Sequence, residues 1–441
     1  MHFSLDVLRA RKGDCLILHF GTEGDPHLVL IDGGPAKVYQ PHLKPRIEQV
    51  HASRGLEPSQ PLPVDVVMVS HVDDDHIRGI LELTAEQLGN SPDVRLKVGS
   101  LWHNSFDDLL ANTPEELLSG FGLASFEAGA SRKPDFDGIE PDGESDEEDV
   151  HQTVDVLASI SQGRQLRDDR EVLQRRSTAR RQWKLNHKFE GELILATANS
   201  EPVMLDGGLK MTVAGPMQPE LEALQQAHDK WLREQKAGKK KTPEAMLAAF
   251  TDKSVPNLSS IVVLAELGGK SMLLTGDARG DKILEGLELI KLLTPGGNRH
   301  FDLLKVPHHG SANNMETDFF KRLPADHYVF SGDGEHGNPE RETLEMLLEA
   351  RGVDAEYTIH LTYEVDEIDI ERQADWEKEQ AKEKARKKKN PASKKPVREN
   401  WSPAKHSLAA LFSDNPKFGA KVRIVHEAQP HMIDLLDPVE L

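Results

Sequence analysis

The chain has one cysteine in 441 residues, Cys15, so no disulfide can form within it. This excludes a disulfide-stapled secreted scaffold and fits a reducing compartment. Aromatic residues are scarce, at 5%, which leaves little for the base-stacking platforms of single-strand nucleic-acid binders. No run approaches the roughly 18 apolar residues needed to span a bilayer. Met1 to Asp14 lacks the basic-then-apolar pattern of a secretory signal. These absences point to a soluble, cytoplasmic protein with no membrane association. Hydrophobic content is low at 37%, charged residues make up 29%, and the formal net charge is -20. Such an acidic surface discourages non-specific adhesion to nucleic acid or anionic lipid, while leaving room for a local basic groove.

What is present reads first as strands. Phe3 to Leu8, Cys15 to Phe20 and His27 to Ile31 alternate with the turns Lys12-Gly13-Asp14 and Gly21 to Pro26, the start of a meander. Val64 to Val69 is a near-continuous β-branched run, as in a strand buried on both faces. Helical spacing follows over Ile77 to Leu88, then a strand over Leu96 to Trp102. Further strands are expected at Glu192–Thr197, Met211–Ala214, Ile261–Leu267, Met272–Thr275, Leu303–Val306, Thr358–Val365 and Val422–His426, with a helix over Thr343–Ala350. The order predicts an α/β fold, with two sheets sandwiched between helices. Val154–Gln174 and Gln218–Phe250 read as polar helical insertions. Pro134–Val150, with nine acids and no base, reads as a solvated loop. Lys382–Lys395, with eight bases and one acid, reads as an exposed linker or a frayed helix end.

Chemistry concentrates in His71-Val72-Asp73-Asp74-Asp75-His76. Five ligand-type side chains occupy six positions directly after a buried strand, where a loop is rigidly placed yet open to ligands. Adjacent carboxylates repel unless cations neutralise them, and imidazole with carboxylate suits zinc, manganese or iron. Two more strands end in such groups: Met272 to Thr275 runs into Gly276-Asp277, and Leu303 to Val306 into Pro307-His308-His309-Gly310-Ser311. Parallel strands deliver their C-terminal ends to one sheet edge, where ligands bind.

The first of these segments resembles the HxHxDH motif of the metallo-β-lactamase superfamily, with aspartate in the second histidine place. Leu273-Leu274-Thr275-Gly276-Asp277 is similar to its bridging-aspartate strand. With Leu303 to Ser311, the trio most resembles the hydrolase domain of the bacterial competence DNA-uptake channel family. Arg11-Lys12-Gly13-Asp14 with Leu30 to Gly34, and Asn257 to Val262, echo the same domain. The resemblance covers roughly residues 1–110 and 190–350.

The resemblance implies an αββα sandwich of the metallo-β-lactamase type with helical insertions. The hydrolase domain spans 1–360, with insertions at about 105–190 and 218–252 and the acidic loop 134–150. Residues 361–441 form a C-terminal extension with the basic linker 382–395. It also implies roles. His71 and Asp73 hold one divalent metal, zinc or manganese, Asp75 and His76 a second, and Asp277 bridges them. His308 or His309 completes the coordination of the second metal or protonates a leaving group; His308 is taken as ligand, and His309 joins Asp75 and Asp277 as catalytic. Asp32 orients a ligand rather than binding metal. A further histidine ligand is common in the superfamily, and His103, after the Leu96–Trp102 strand, is the candidate; a capping or hydrogen-bonding role is the alternative. Where the competence family has Tyr-Gly-His-Pro, this chain has Glu335-His336-Gly337-Asn338-Pro339, making His336 another candidate ligand.

The resulting expectation is a phosphodiesterase or nuclease that uses a metal-bridging hydroxide, with a phosphodiester substrate, nucleic acid included. Lys239–Lys241 and Arg386–Lys389 are basic patches that could contact phosphates; solvated linkers are the alternative. Two other functions compete: a small-molecule ester, thioester or lactone metallohydrolase, and an effector module activated by a protein partner.

Overall fold

Alternation of apolar and polar residues along the strands sets up a two-sheet sandwich. The structure is a computed structural model; it describes residues 1–104, 147–176, 182–222, 259–391, 395–426 and 429–441, with no side-chain description for 147–161 or Asn314. The first sheet has the order β15-β1-β2-β3-β4-β5-β6 and the second β14-β13-β12-β11-β10-β9-β8-β7. The first comprises β1 (His2–Val7), β2 (Leu16–Thr22), β3 (Asp25–Ile31), β4 (Leu62–Met68), β5 (Leu96–Trp102), β6 (Lys184–Leu185) and β15 (Met432–Asp434). The second comprises β7 (Val203–Met204), β8 (Lys210–Gly215), β9 (Val262–Leu267), β10 (Lys270–Leu274), β11 (Phe301–Lys305), β12 (Ala325–Phe330), β13 (Thr358–Leu361) and β14 (Val422–Ile424).

Both sheets repeat one plan. A three-strand antiparallel meander, β1-β2-β3 or β8-β9-β10, is followed by parallel strands. Phe3, Leu5, Leu18 and Phe20 from one sheet meet Met211, Val263, Met272 and Leu303 from the other in a continuous inner core. Burying each such side chain stabilises the fold by roughly 1.5–3 kcal/mol.

Helices cover the two outer faces. Ile47 and Val50 of α1 (Lys44–Ser53), Ile77 and Ile80 of α2 (Asp74–Leu88) and Leu166 and Leu173 of α3 (Glu147–Arg176) pack outside the first sheet. Ile283 and Leu287 of α4 (Gly280–Leu289), Phe319 and Phe320 of α5 (Thr317–Arg322), Leu344 and Leu347 of α6 (Arg341–Arg351) and Ile368 of α7 (Val365–Lys389) pack outside the second. The architecture is an α/β sandwich. None of the described helices is long and apolar enough to cross a membrane.

Several local readings change. Residues 192–197 are not a strand. The Asn104 amide makes both hydrogen bonds of Ile194, at 2.9 Å each, and Ala196 pairs only with Met217. Of the two readings of Lys382–Lys395, the helix end holds for Lys382–Lys389, the last two turns of α7, where cations sit well against the helix dipole. Glu147–Val150, the end of the acidic stretch, opens α3; residues 134–146 lie outside the described residues, as do Lys239–Lys241 and most of the 218–252 insertion. The extension after residue 360 is woven into both sheets: Val422 pairs beside Ile359 of β13, and Ile433 beside Leu5 of β1.

Candidate metal centre

Three loops leave the ends of β4, β10 and β11 at one edge of the sandwich, bringing His71, Asp73, Asp75, His76, Asp277, His308 and His309 together. Asp73 occupies the position just before α2, and Asp75 and His76 lie in the helix's first turn. This helix approaches the β3 loop so closely that a Cβ on Gly79 would sit 1.9 Å from the Gly33 carbonyl oxygen. Only glycine at position 79 allows α2 to dock and present His76 inward.

Asp277 is the hub. Its carboxylate lies 3.3 Å from His76 Nε2, 3.3 Å from His309 Nε2, and 3.8 Å from both His71 Nε2 and His308 Nε2. Asp75 lies 3.9 Å from His76 Nε2 and 3.7 Å from His309 Nε2, and Asp73 lies 3.5 Å from His71 Nε2. Asp75, His76, Asp277 and His309 offer ligand atoms all within 4.8 Å of one another.

The other ring nitrogen of His71, His76 and His309 is anchored. His76 Nδ1–H donates to Asp32 Oδ2 at 2.8 Å. Ser70 Oγ donates to the same oxygen at 2.7 Å and accepts from His71 Nδ1 at 3.1 Å. His309 Nδ1–H donates to Ser331 Oγ at 2.9 Å, and that hydroxyl donates to Asp14 Oδ1 at 2.5 Å. Such anchoring fixes the tautomer that leaves Nε2 available as a ligand.

That availability tests the fit to metal. His71 Nε2, His76 Nε2, His309 Nε2 and Asp277 Oδ1 are buried without a hydrogen-bond partner, a costly state that native structures rarely leave unexplained. All four point into the same centre. Ligand atoms on a tetrahedral ion with bonds of about 2.0–2.1 Å are spaced by about 3.3 Å, close to the spacings around Asp277. The residues fit divalent cations.

Protons stand in for cations electrostatically. Burial would lower the His309 pKa, but Asp277 and Asp14 outweigh it and hold it at about 9. His76 is likewise raised against its burial, by Asp277 and Asp32. Burial would raise Asp277, yet His309, His76 and His308 hold it well below the usual carboxylate range. A bound cation would displace the imidazole protons.

The paired histidines exchange their expected places. His309 is 2% exposed and belongs to the ligand group, whereas the His308 side chain is 27% exposed at the rim. Both have left-handed backbones, with φ of 53° and 47°, a conformation costing roughly 1–2 kcal/mol per residue. The His308 N–H donates to Gly276 O at 3.1 Å and holds the turn that swings the second ring inward. His336 is not among the ligand groups. Its ring is 61% exposed, lies 3.0 Å from Lys12 Nζ and faces solvent. His103 is buried after β5, its backbone bracketed by the Asn186 amide, and neither the group around Asp277 nor a second one, Asp14, Asp32 and His76, includes it. Asp32 accepts from His76 Nδ1–H and the Ser70 hydroxyl, and its carboxylate also lies within 4.8 Å of ligand atoms of Asp14 and His76. The supporting roles of Asp14, Ser70, Lys305 and Ser331 went unread. For Lys305 a signal existed, a charged residue inside an apolar strand; for Ser331 none did.

No protein-family model matches this chain. A 71-residue stretch, 15% of the chain, is 41% identical to the microtubule-associated protein futsch of Drosophila melanogaster. A 57-residue stretch, 13% of the chain, is 40% identical to microtubule-associated protein 1A of Homo sapiens. The chain spans 1% and 2% of the lengths of these relatives, so the matches say nothing of the chain as a whole.

Proposed function

We propose that this chain is a two-metal hydrolase of the metallo-β-lactamase type that cleaves phosphodiesters. The observation that carries the reading is the convergence of four buried ligand atoms without hydrogen-bond partners on one centre. His71, Asp73 and Asp277 would hold one zinc or manganese ion, and Asp75, His76, His309 and Asp277 the other. Two such cations lower the pKa of water to about 7 and stabilise charge developing on a phosphoryl oxygen.

The chain's own residues favour phosphodiesters over lactams or thioesters. Asp73 in place of an imidazole makes its site harder and better suited to phosphate oxygens. His308, at the rim and 3.8 Å from Asp277, is the imidazole placed to protonate an alkoxide leaving group, which a thiolate does not need. A cytoplasmic setting accords with the single, buried Cys15.

The test reconstitutes the protein with zinc or manganese, counts ions by elemental analysis, and compares chromogenic phosphodiester, ester, thioester and lactam substrates. About two ions per chain and preferential phosphodiester turnover are expected. His308→Ala should keep the ions and lose about 10²–10⁴ in turnover of a poor-leaving-group phosphodiester. Absence of bound metal, or thioester or lactam hydrolysis without phosphodiesterase activity, overturns the reading.

A further inference from the structure

Five carboxylates crowd the centre: Asp14, Asp32, Asp73, Asp75 and Asp277. Two divalent cations bring four positive charges to those five negative ones, and a metal-bound hydroxide would add a sixth. Lys305, in β11, lies against Asp14, a buried carboxylate behind His309. It is 1% exposed, and its Nζ is 2.5 Å from Asp14 Oδ2 and 3.3 Å from the Gly276 carbonyl oxygen. An ammonium is rarely buried this far without a purpose, because desolvating it costs more than one hydrogen bond returns.

Asp14 links Lys305 to the ligands on two sides. Through Oδ1 it accepts the Ser331 hydroxyl at 2.5 Å, and that hydroxyl accepts His309 Nδ1–H at 2.9 Å. Through its backbone, Asp14 N–H donates to the Asp75 carbonyl oxygen at 3.3 Å. The neighbouring Gly13 lies so close that a Cβ there would be 1.9 Å from the same oxygen. Asp14 therefore positions His309 through its carboxylate and the first turn of α2, which carries Asp75, through its backbone.

We propose that Lys305 is a fixed third cation of the metal centre: its ammonium neutralises Asp14, so that Asp14 and Ser331 can hold His309 with Nε2 turned to the second metal. Lys305 touches no substrate in this scheme; it is a positioning residue. The inference rests on the two-metal reading, and its test reads metal affinity rather than turnover.

The experiment measures zinc and cobalt affinity of the full chain by chelator competition, with the cobalt absorption spectrum as a report on coordination. Lys305→Met should weaken one of the two ions by about 10–100-fold, the usual cost of losing a group that orients a ligand. Ser331→Ala, which removes only the hydroxyl link, should weaken the same ion and alter the same cobalt bands. The double variant Asp14→Asn with Lys305→Met should recover most of the lost affinity, because an asparagine oxygen can still accept from Ser331 and no lone charge remains. A merely structural lysine predicts the opposite, a double variant as weak as the single or weaker. Wild-type affinity in Lys305→Met, or an unrecovered double variant, overturns the proposal. If Lys305→Met does not fold, unchanged affinity in Ser331→Ala overturns it just as well. Absence of metal in the wild type, seen before any variant is compared, removes the two-metal reading and this inference with it.

Discussion

Metal binding to this centre should tighten steeply as the pH rises from 7 to 9. Without cations, Asp277 and Asp14 hold the buried His309 imidazole at a pKa of about 9, against an ordinary 6.5. At pH 7 a cation must expel that proton, and two pH units correspond to about a hundredfold weaker binding than above pH 9. His76 is raised as well, so the slope should exceed one proton per ion bound there. Calorimetry in buffers of different ionisation enthalpy would count the protons released. The same shift makes the cation-free fold pH-dependent. A histidine raised in the folded state stabilises it fully below 6.5 and loses that contribution as pH climbs through 9. The shift corresponds to about 3 kcal/mol, so chelator-treated protein should melt a few degrees lower at pH 9.5 than at pH 6, and saturating zinc should abolish the difference. An affinity flat between pH 7 and 9, or a His309→Asn variant with the wild-type slope, would refute the argument.

Three further outcomes follow from particular contacts. Asp277→Ala should reduce bound metal from about two ions to one or none, because this carboxylate lies within 3.8 Å of four imidazoles; elemental analysis reads it directly. Asp32→Asn should weaken metal by about 10–100-fold with the circular dichroism spectrum intact, since it disturbs the anchor of His76 and, through Ser70, of His71; unaltered affinity would remove Asp32 from its orienting role. Gly79→Ala should destabilise by about 1–3 kcal/mol or more, the usual range for overpacking, because its methyl would sit 1.9 Å from the Gly33 oxygen; an unchanged urea midpoint would show that α2 can move away.

Much of this molecule is legible locally. The period-2 alternation of Phe3, Leu5 and Val7, or of Leu16, Leu18 and Phe20, marks strands with one face in the inner core. The ligand-type residues after β4, β10 and β11 announce themselves because several such groups at strand ends are rare and mutually repulsive without cations. The strand β12 is not legible because Asp326-His327 near its start breaks the apolar run, and its place in the sheet comes from pairing with β11 and β13.

What the chain alone could not decide is which of two adjacent histidines turns inward. His308 and His309 are chemically identical, and the choice falls to a left-handed turn pinned by a hydrogen bond to Gly276, a residue more than thirty positions away. In the same way, Asp14 and Lys305 form a pair only because β11 and the β1–β2 loop meet beneath the centre, and β14 and β15 become edge strands only because β13 and β1 offer unpaired edges. Residue type and local period determine what each segment can do. Burial, charge pairing and hydrogen-bond direction depend on neighbours distant in the chain, so the tertiary structure alone decides which of these capacities is used.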